Sequence, residues 1–191
     1  MYTPQKSLVA ICIAVLFVVS ACKQEPKQNN EEEWISLFDG TNYEDWTPKF
    51  AGFELGVNYK NRFVYEDSLL SVRYVEQDTF KGNFGHLYHK RKFSHYRLRA
   101  KYRFVGEQMT NGPGWAFRNN GLMLHCQEPS TIGLDQDFPI SLELQLLGGN
   151  GTDDRTTANL CTPGTNVVKG DTLFTPHCIG SNSKTYHGDQ W

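Results

Sequence analysis

The chain has 191 residues and a formal net charge of −2. It is therefore long enough for one domain with its own core, and it lacks the general excess of positive charge expected of a nucleic-acid-binding protein. Aromatic residues make up 13% of the sequence and glycine occurs 17 times, which suits all-β and carbohydrate-handling proteins without identifying either.

The first residues have the pattern of an export signal. Lys6 precedes an apolar run from Leu8 to Val19, and small residues lead to Cys22 in "VVSAC". This arrangement predicts a lipoprotein signal peptide over residues 1–21, with Cys22 carrying a lipid and becoming the new N-terminus. An ordinary secretory signal or an N-terminal anchor helix is the alternative, although the run is short for a membrane span.

Residues 22–33 are polar and charged and lack apolar periodicity, so we expect a flexible tether. The folded domain is then predicted to occupy residues 34–191. A lipid on Cys22 would place it in the bacterial cell envelope, anchored to a membrane and facing either the periplasm or the outer surface.

Strand-like segments bounded by Gly, Asn, Asp and Pro follow along the chain, and in the clearest of them apolar residues recur at every second position. They cover residues 62–76 (with a turn at residues 66–68), 85–90, 96–104, 120–127 and 140–147. We find no convincing helix and no internal repeat, so the sequence predicts an antiparallel β-sandwich. The chain ends at Trp191 in a segment that resembles the start of a strand, which suggests that the sandwich is truncated at its C-terminus.

The segment "ISLELQLL" carries a carboxylate and an amide in the middle of a predicted strand. Ser141, Glu143 and Gln145 alternate with leucines, so they should lie on an open polar face. If the preceding strand is its neighbour, a symmetric connection sets His125 opposite Glu143 and Gln127 opposite Ser141. An ordinary solvated sheet face would show the same pattern.

The loop before that neighbouring strand offers further candidates for substrate binding. Trp115 could stack on a sugar ring, and Arg118 and Asn119 could hydrogen-bond to hydroxyl groups. Asp153 and Asp154 lie in a glycine-rich turn, where calcium is an alternative to a plain turn.

Three cysteines follow the predicted tether. Cys161 and Cys178 flank a turn-rich loop and are the favoured disulfide pair in an exported protein, whereas Cys126 alternates with leucines and should be a buried thiol. His177 beside Cys178 leaves a metal site as the competing interpretation. No C-x-x-C spacing supports that site, so no metal ligand is assigned.

Four segments, taken together and in order, resemble one family. They are "WISLFDGTNYEDWTP", "HYRLRAKYRF", "RNNGLMLH" and "SLELQLLGG", and they span Trp34 to Gly149. The sequence is similar to the bacterial 3-keto-disaccharide hydrolase domain family. The resemblance implies a concanavalin/LamG-like jelly roll with a sugar site on its concave face, acting on glycosides oxidised at the sugar 3-position.

Such a substrate changes what the site needs. The second acid of an ordinary glycosidase is missing from the strand of Glu143, but a 3-ketone acidifies the hydrogen on C2, so one general base can start an elimination. Either Glu143 or His125 can be that base, and Arg118, Asn119 or Gln145 can hold the developing oxyanion. Gln127 is a further candidate for substrate binding.

Other interpretations stay open at this point. Glu143 and His125 could instead hold a divalent metal such as calcium. The domain could also be a noncatalytic carbohydrate-binding module or a structural domain, because one fold serves many functions.

Overall fold

The computed structural model describes residues 33–38, 44–75 and 77–191, and residues 36–191 form one compact unit. The predicted signal peptide, the lipidation site at Cys22 and most of the predicted tether lie outside the described residues. No helix of the described chain has the length and apolar character needed to cross a membrane.

The described chain is nearly all β. Its strands are β1 (Trp46–Phe50), β2 (Phe63–Glu66), β3 (Leu69–Val72), β4 (Gly85–His89), β5 (Asn119–Leu124), β6 (Leu142–Leu147), β7 (Asn159–Cys161), β8 (Val167–Lys169), β9 (Thr172–Phe174) and β10 (Cys178–Ile179). Short 3-10 helices occupy Tyr59–Asn61, Gly114–Ala116 and Pro129–Thr131. Every pair of these strands is antiparallel, as a jelly-roll sandwich requires, and the predicted fold class is confirmed.

The strands form one four-stranded sheet and three two-stranded sheets. The four-stranded sheet has the order β10-β7-β6-β5, while β1 pairs with β4, β2 with β3, and β8 with β9. The predicted strands at residues 62–76, 85–90, 120–127 and 140–147 correspond to β2 and β3, β4, β5 and β6. Asp67 and Ser68 both have positive φ, which matches the twist of a two-residue hairpin loop between β2 and β3.

The prediction of a strand at Tyr96–Phe104 is wrong. This segment has the cleanest alternation in the sequence, but it pairs with none of the described strands. Most of its residues are exposed. Alternation indicates which residues share a face in an extended chain, but a strand also needs a hydrogen-bonded neighbour.

The apolar core lies mainly beside β1 and β2. Phe50 and Phe63 are buried there with their ring centroids 5.2 Å apart. Lys49 is also buried, and its Nζ donates hydrogen bonds to the carbonyl oxygens of Phe50, Phe53 and Leu134. These bonds compensate a buried charge and fix the loop at Leu134 against β1.

The C-terminal strands are joined covalently. A disulfide links Cys161 in β7 to Cys178 in β10, which is the pair that the sequence favours. These cysteines are also cross-strand partners. Cys126 has a free thiol and is partly buried.

Candidate active site

The candidate site lies on one face of the four-stranded sheet. Glu143 in β6 is the cross-strand partner of Met123 in β5 and of Cys161 in β7. Gln145 is likewise the partner of Gly121 and Asn159. Directly paired residues of an antiparallel sheet point to the same side, and residues two apart in a strand share a face, so these two rows lie on one face. Leu142, Leu144 and Leu146 point to the other face.

This polar face is not the open surface that the alternation suggests. Ser141 is 1% exposed and Glu143 is 9% exposed, whereas Leu144 on the opposite side is 37% exposed. The expectation that Glu143 looks out from a solvated face is therefore wrong. Cys161, which lies beside Glu143 and carries the disulfide, is itself fully buried.

Glu143 is buried without a compensating partner. Its carboxylate lies over Gly121, where a methyl carbon added to the glycine would come 2.6 Å from Glu143 Cγ. No described residue forms a hydrogen bond or ion pair with it. Desolvation by burial alone raises the pKa of Glu143 from its ordinary 4.5 to about 7. A carboxyl group in this state can accept a proton near neutral pH.

His125 does not lie opposite Glu143, so the predicted register is wrong. It follows the end of β5, is exposed, and has a φ of +48°. Leu124 pairs with Leu142, and the Gln127 N–H then donates to the Ile140 carbonyl at 2.7 Å. Three steps on one strand are thus matched by two on the other, as in a β-bulge with a left-handed residue. Met123, two residues earlier, is the partner of Glu143 instead, and the bulge begins beyond that pair.

Gln127 is committed to the loop that precedes β6. Its Oε1 accepts hydrogen bonds from Gln136 Nε2 at 2.8 Å and from the Ile140 N–H at 3.2 Å. Its Nε2 donates to the Thr131 carbonyl at 3.0 Å. Both ends of the amide are therefore engaged in holding the loop.

Arg118 lies on the other side of the sheet from Glu143. The Gly148 N–H donates to its carbonyl at 2.8 Å, and a Cβ on Gly148 would meet the Arg118 Cβ at 2.9 Å. Gly148 falls on the leucine side by strand alternation. The Arg118 guanidinium pairs there with Asp189 through Nη2, at 2.6 Å.

The other two substrate-binding candidates near Arg118 are Asn119 and Trp115, which contact each other. Asn119 Nδ2 donates to the Trp115 carbonyl at 3.0 Å, so this donor is used within the loop. Trp115 is 56% exposed, and its ring stacks on Phe84 with centroids 5.6 Å apart. A ring that is backed on one side and open on the other suits sugar stacking.

Asn159 is the site residue that sequence reasoning missed. It is 6% exposed, and its Nδ2 donates to Gln145 Oε1 at 3.0 Å. The only signal in the sequence is its position two residues before Cys161, and β7 is too short to show an alternation of its own.

The described residues contain no cluster of three or more histidine, cysteine, aspartate or glutamate side chains suited to a metal ion. In the glycine-rich turn, Asn150 Oδ1 accepts hydrogen bonds from the N–H groups of Thr152 and Asp153. These bonds are those of an Asx turn, which explains the composition of the segment.

Comparison with known proteins gives a family and no individual relative. No curated protein and no solved structure matches the chain. The family described as the 3-keto-alpha-glucoside-1,2-lyase-like domain matches residues 33–191, which include every residue of the site above. The chain belongs to this family.

Proposed function

We propose that the protein cleaves 3-keto-glycosides by elimination and hydration, with Glu143 as the general base that removes the C2 proton. The observation that carries the proposal is the state of Glu143, which is buried, lacks a partner, and has a pKa raised to about 7 by desolvation. Catalytic bases near neutral pH need a pKa in this range. The family supplies the substrate class.

The reaction balances with one carboxylate and one water. Glu143 takes the proton from C2, and the electron pair of the C–H bond forms an enolate whose charge lies on O3. As the ketone reforms, a double bond forms between C1 and C2 and the bond from C1 to its oxygen substituent breaks. The leaving oxygen takes the proton held by Glu143 and departs as an alcohol, which restores the carboxylate. Water then adds its hydroxyl to C1 and a proton to C2, so the net change is hydrolysis.

Among the three predicted oxyanion donors, the geometry favours Gln145. Arg118 lies on the opposite face and pairs with Asp189, and Asn119 donates to a carbonyl of its own loop. Gln145 shares the face of Glu143 and is the cross-strand partner of Gly121, over which the Glu143 carboxylate lies. A preorganised donor at this position would stabilise charge on O3.

The test is release of p-nitrophenol from the two anomers of a p-nitrophenyl 3-keto-glucoside by the full-length protein. Glu143→Gln keeps the shape of the side chain and removes its basicity, so we expect kcat to fall by about 10²- to 10⁴-fold. His125→Ala serves as the comparison because His125 is the alternative base, and we expect it to retain most of the activity.

The opposite ranking of these two variants would assign the base to His125. Binding of the glycoside by the wild-type protein without release of nitrophenol would instead support a noncatalytic carbohydrate-binding module, a function that the exposed Trp115 ring would also suit.

The cellular location is proposed from the sequence alone. The pattern around Cys22 supports a lipid anchor that holds the domain in the bacterial cell envelope. Cys22→Ser should release the protein from the membrane fraction, whereas Cys12→Ser, within the apolar run, should not. Retention of the Cys22 variant in that fraction would contradict the anchor.

A further inference from the structure

The side-chain amide of Asn159 has its orientation fixed by the backbone at both ends. Its Oδ1 accepts a hydrogen bond from the Ser181 N–H at 3.0 Å, and its Nδ2 donates to the Thr156 carbonyl at 2.9 Å. A backbone N–H can only donate and a carbonyl can only accept. The oxygen and nitrogen of this amide are thus assigned by the backbone, and the Thr156 hydroxyl adds a second bond to Oδ1 at 2.8 Å.

This orientation determines that of the neighbouring Gln145. Asn159 Nδ2 also lies 3.0 Å from Gln145, and because Nδ2 is a donor, the atom it meets must be the Gln145 oxygen. Gln145 Nε2 is therefore directed away from Asn159. Within the described part of the chain this nitrogen makes no hydrogen bond, so its two protons are available to a ligand on the face of Glu143.

We infer that Asn159 is a positioning residue, which holds the Gln145 amide so that its NH₂ group, and not its oxygen, faces the reacting sugar. The inference rests on the proposed function, because the group to be stabilised is the enolate oxygen. In the reverse orientation Gln145 would present a lone pair to that negative charge. The hydrogen bonds from Ser181 to Asn159 and from Asn159 to Gln145 exclude this orientation before the substrate binds.

Asn159→Asp tests the hydrogen bond from Asn159 to Gln145 with a minimal change of side-chain shape. The carboxylate introduced by this substitution can still accept from the Ser181 N–H and the Thr156 hydroxyl, but it cannot donate to Gln145 or to the Thr156 carbonyl. The Gln145 amide should therefore rotate and turn its NH₂ toward it. We expect kcat to fall by about 10²- to 10³-fold, as for loss of one oxyanion donor. KM should change by less than about threefold, because binding of the ground state is little affected.

Asn58→Asp is the matched control. Asn58 also has both ends of its amide held by the backbone, with Nδ2 donating to the Phe63 carbonyl at 2.8 Å and Oδ1 accepting from the Phe63 N–H at 3.1 Å. It lies outside the candidate site, so its variant should retain kcat. An equal loss of kcat in both variants would overturn the inference, because a general effect on folding would then suffice.

A double-mutant cycle separates positioning from structural support. If Asn159 acts only through Gln145, Asn159→Asp should change kcat by less than about twofold in a Gln145→Leu background. The full loss in that background would overturn the inference. Gln145→Glu provides a second route that leaves Asn159 intact, since it presents a carboxylate oxygen to the substrate, and it should lower kcat while preserving the melting temperature.

Hydrogen exchange of the side-chain amides tests the orientation without turnover. In the wild-type protein, NMR should show slow exchange of the Asn159 NH₂ and fast exchange of the Gln145 NH₂, and Asn159→Asp should slow the exchange at Gln145. The reverse pattern in the wild type would overturn the inference alone. A wild-type protein with the expected exchange but no cleavage of 3-keto-glucosides would overturn the proposed function instead.

Discussion

Two buried carboxyl groups of this protein have opposite surroundings. Asp78 is 5% exposed and receives Lys60 and Arg62, each at 2.5 Å, together with the Val75 N–H. The hydrogen bond from Lys60, helped by Arg62, lowers the pKa of Asp78 to about 2. Glu143 is 9% exposed, meets no cation among the described residues, and has its pKa raised to about 7 by desolvation.

This difference distinguishes a structural carboxylate from the proposed general base. The charge of Asp78 is compensated by its neighbours, so this group stays ionised and ties together the segments that carry its partners. The charge of Glu143 is uncompensated, which costs stability whenever the group is ionised. A fold retains such a group at that cost when its proton affinity is used, as at many functional sites.

The largest effect is expected from a substitution that displaces the Glu143 carboxylate and leaves the residue itself unchanged. In Gly121→Ala the added methyl group occupies the space of the Glu143 side chain, which must rotate away. We expect kcat/KM to fall by about 10²-fold, since small displacements of catalytic groups have effects of this size. The loss of melting temperature should be moderate, because the displaced atoms, from Cγ to Oε1, belong to a side chain that can rotate and not to the backbone.

Gly133→Ala is the control for this variant, because its nearest contact would be an ordinary 3.6 Å to Gln136 Cβ. It should leave kcat/KM unchanged. A Gly121→Ala enzyme with wild-type activity would show that the position of the Glu143 carboxylate is unimportant.

A rise in pH should change the unfolding free energy in opposite directions through Glu143 and Asp78. Glu143 binds its proton more tightly in the folded state than in the unfolded state, so ionising it destabilises the fold as pH rises from about 4.5 to about 7. Glu143→Gln should therefore be more stable than the wild type above pH 7. We expect a gain of about 1 to 2 kcal/mol in unfolding free energy, discounted from the full shift for partial access of water.

Asp78→Asn should behave in the reverse way. The folded-state pKa of Asp78 is lowered, so its stabilising contribution is present above the unfolded pKa and is lost as pH falls toward about 2. The variant should be less stable than the wild type at pH 8, with unchanged kcat. Urea denaturation at pH 4, 6 and 8 measures both variants, and a destabilised Glu143→Gln protein at pH 8 would contradict the assignment.

The smallest effect is expected at the exposed ring of Trp115. Trp115→Ala removes an exposed ring that is supported by Phe84, and with it the proposed stacking on the sugar. KM should rise about threefold with little change in kcat, because stacking contributes to binding of ground and transition states alike. A loss confined to kcat would place Trp115 at the reacting atoms instead.

Local patterns in the sequence located five of the ten described strands. Runs bounded by turn residues indicated β2 to β4, alternation indicated β5 and β6, and the placement of Glu143 and Gln145 on one face followed from that alternation. The pairing of His125 was predicted wrongly because a symmetric connection was assumed, whereas Met123 pairs with Glu143 and a bulge follows that pair.

Those local patterns could not predict which side chains are buried or which distant segments contact each other. Glu143 is buried beside Cys161 of β7, which is linked by a disulfide to Cys178 of β10. Asn159 also lies in β7, and its proposed role depends on a hydrogen bond from Ser181, 22 residues later. The Tyr96–Phe104 segment, which is part of none of the described strands, shows the converse limit, since a clear pattern does not supply a partner strand.

The fate of the hydrogen on C2 tests the role of Glu143 most directly. A 3-keto-glucoside carrying deuterium at C2 should lose its label to water during cleavage in H₂O, and the 3-keto sugar product should carry hydrogen at that position. Glu143→Gln should slow loss of the label and release of the alcohol by the same factor. Release of the alcohol with the deuterium retained at C2, or undiminished loss of label in the variant, would contradict proton abstraction by Glu143.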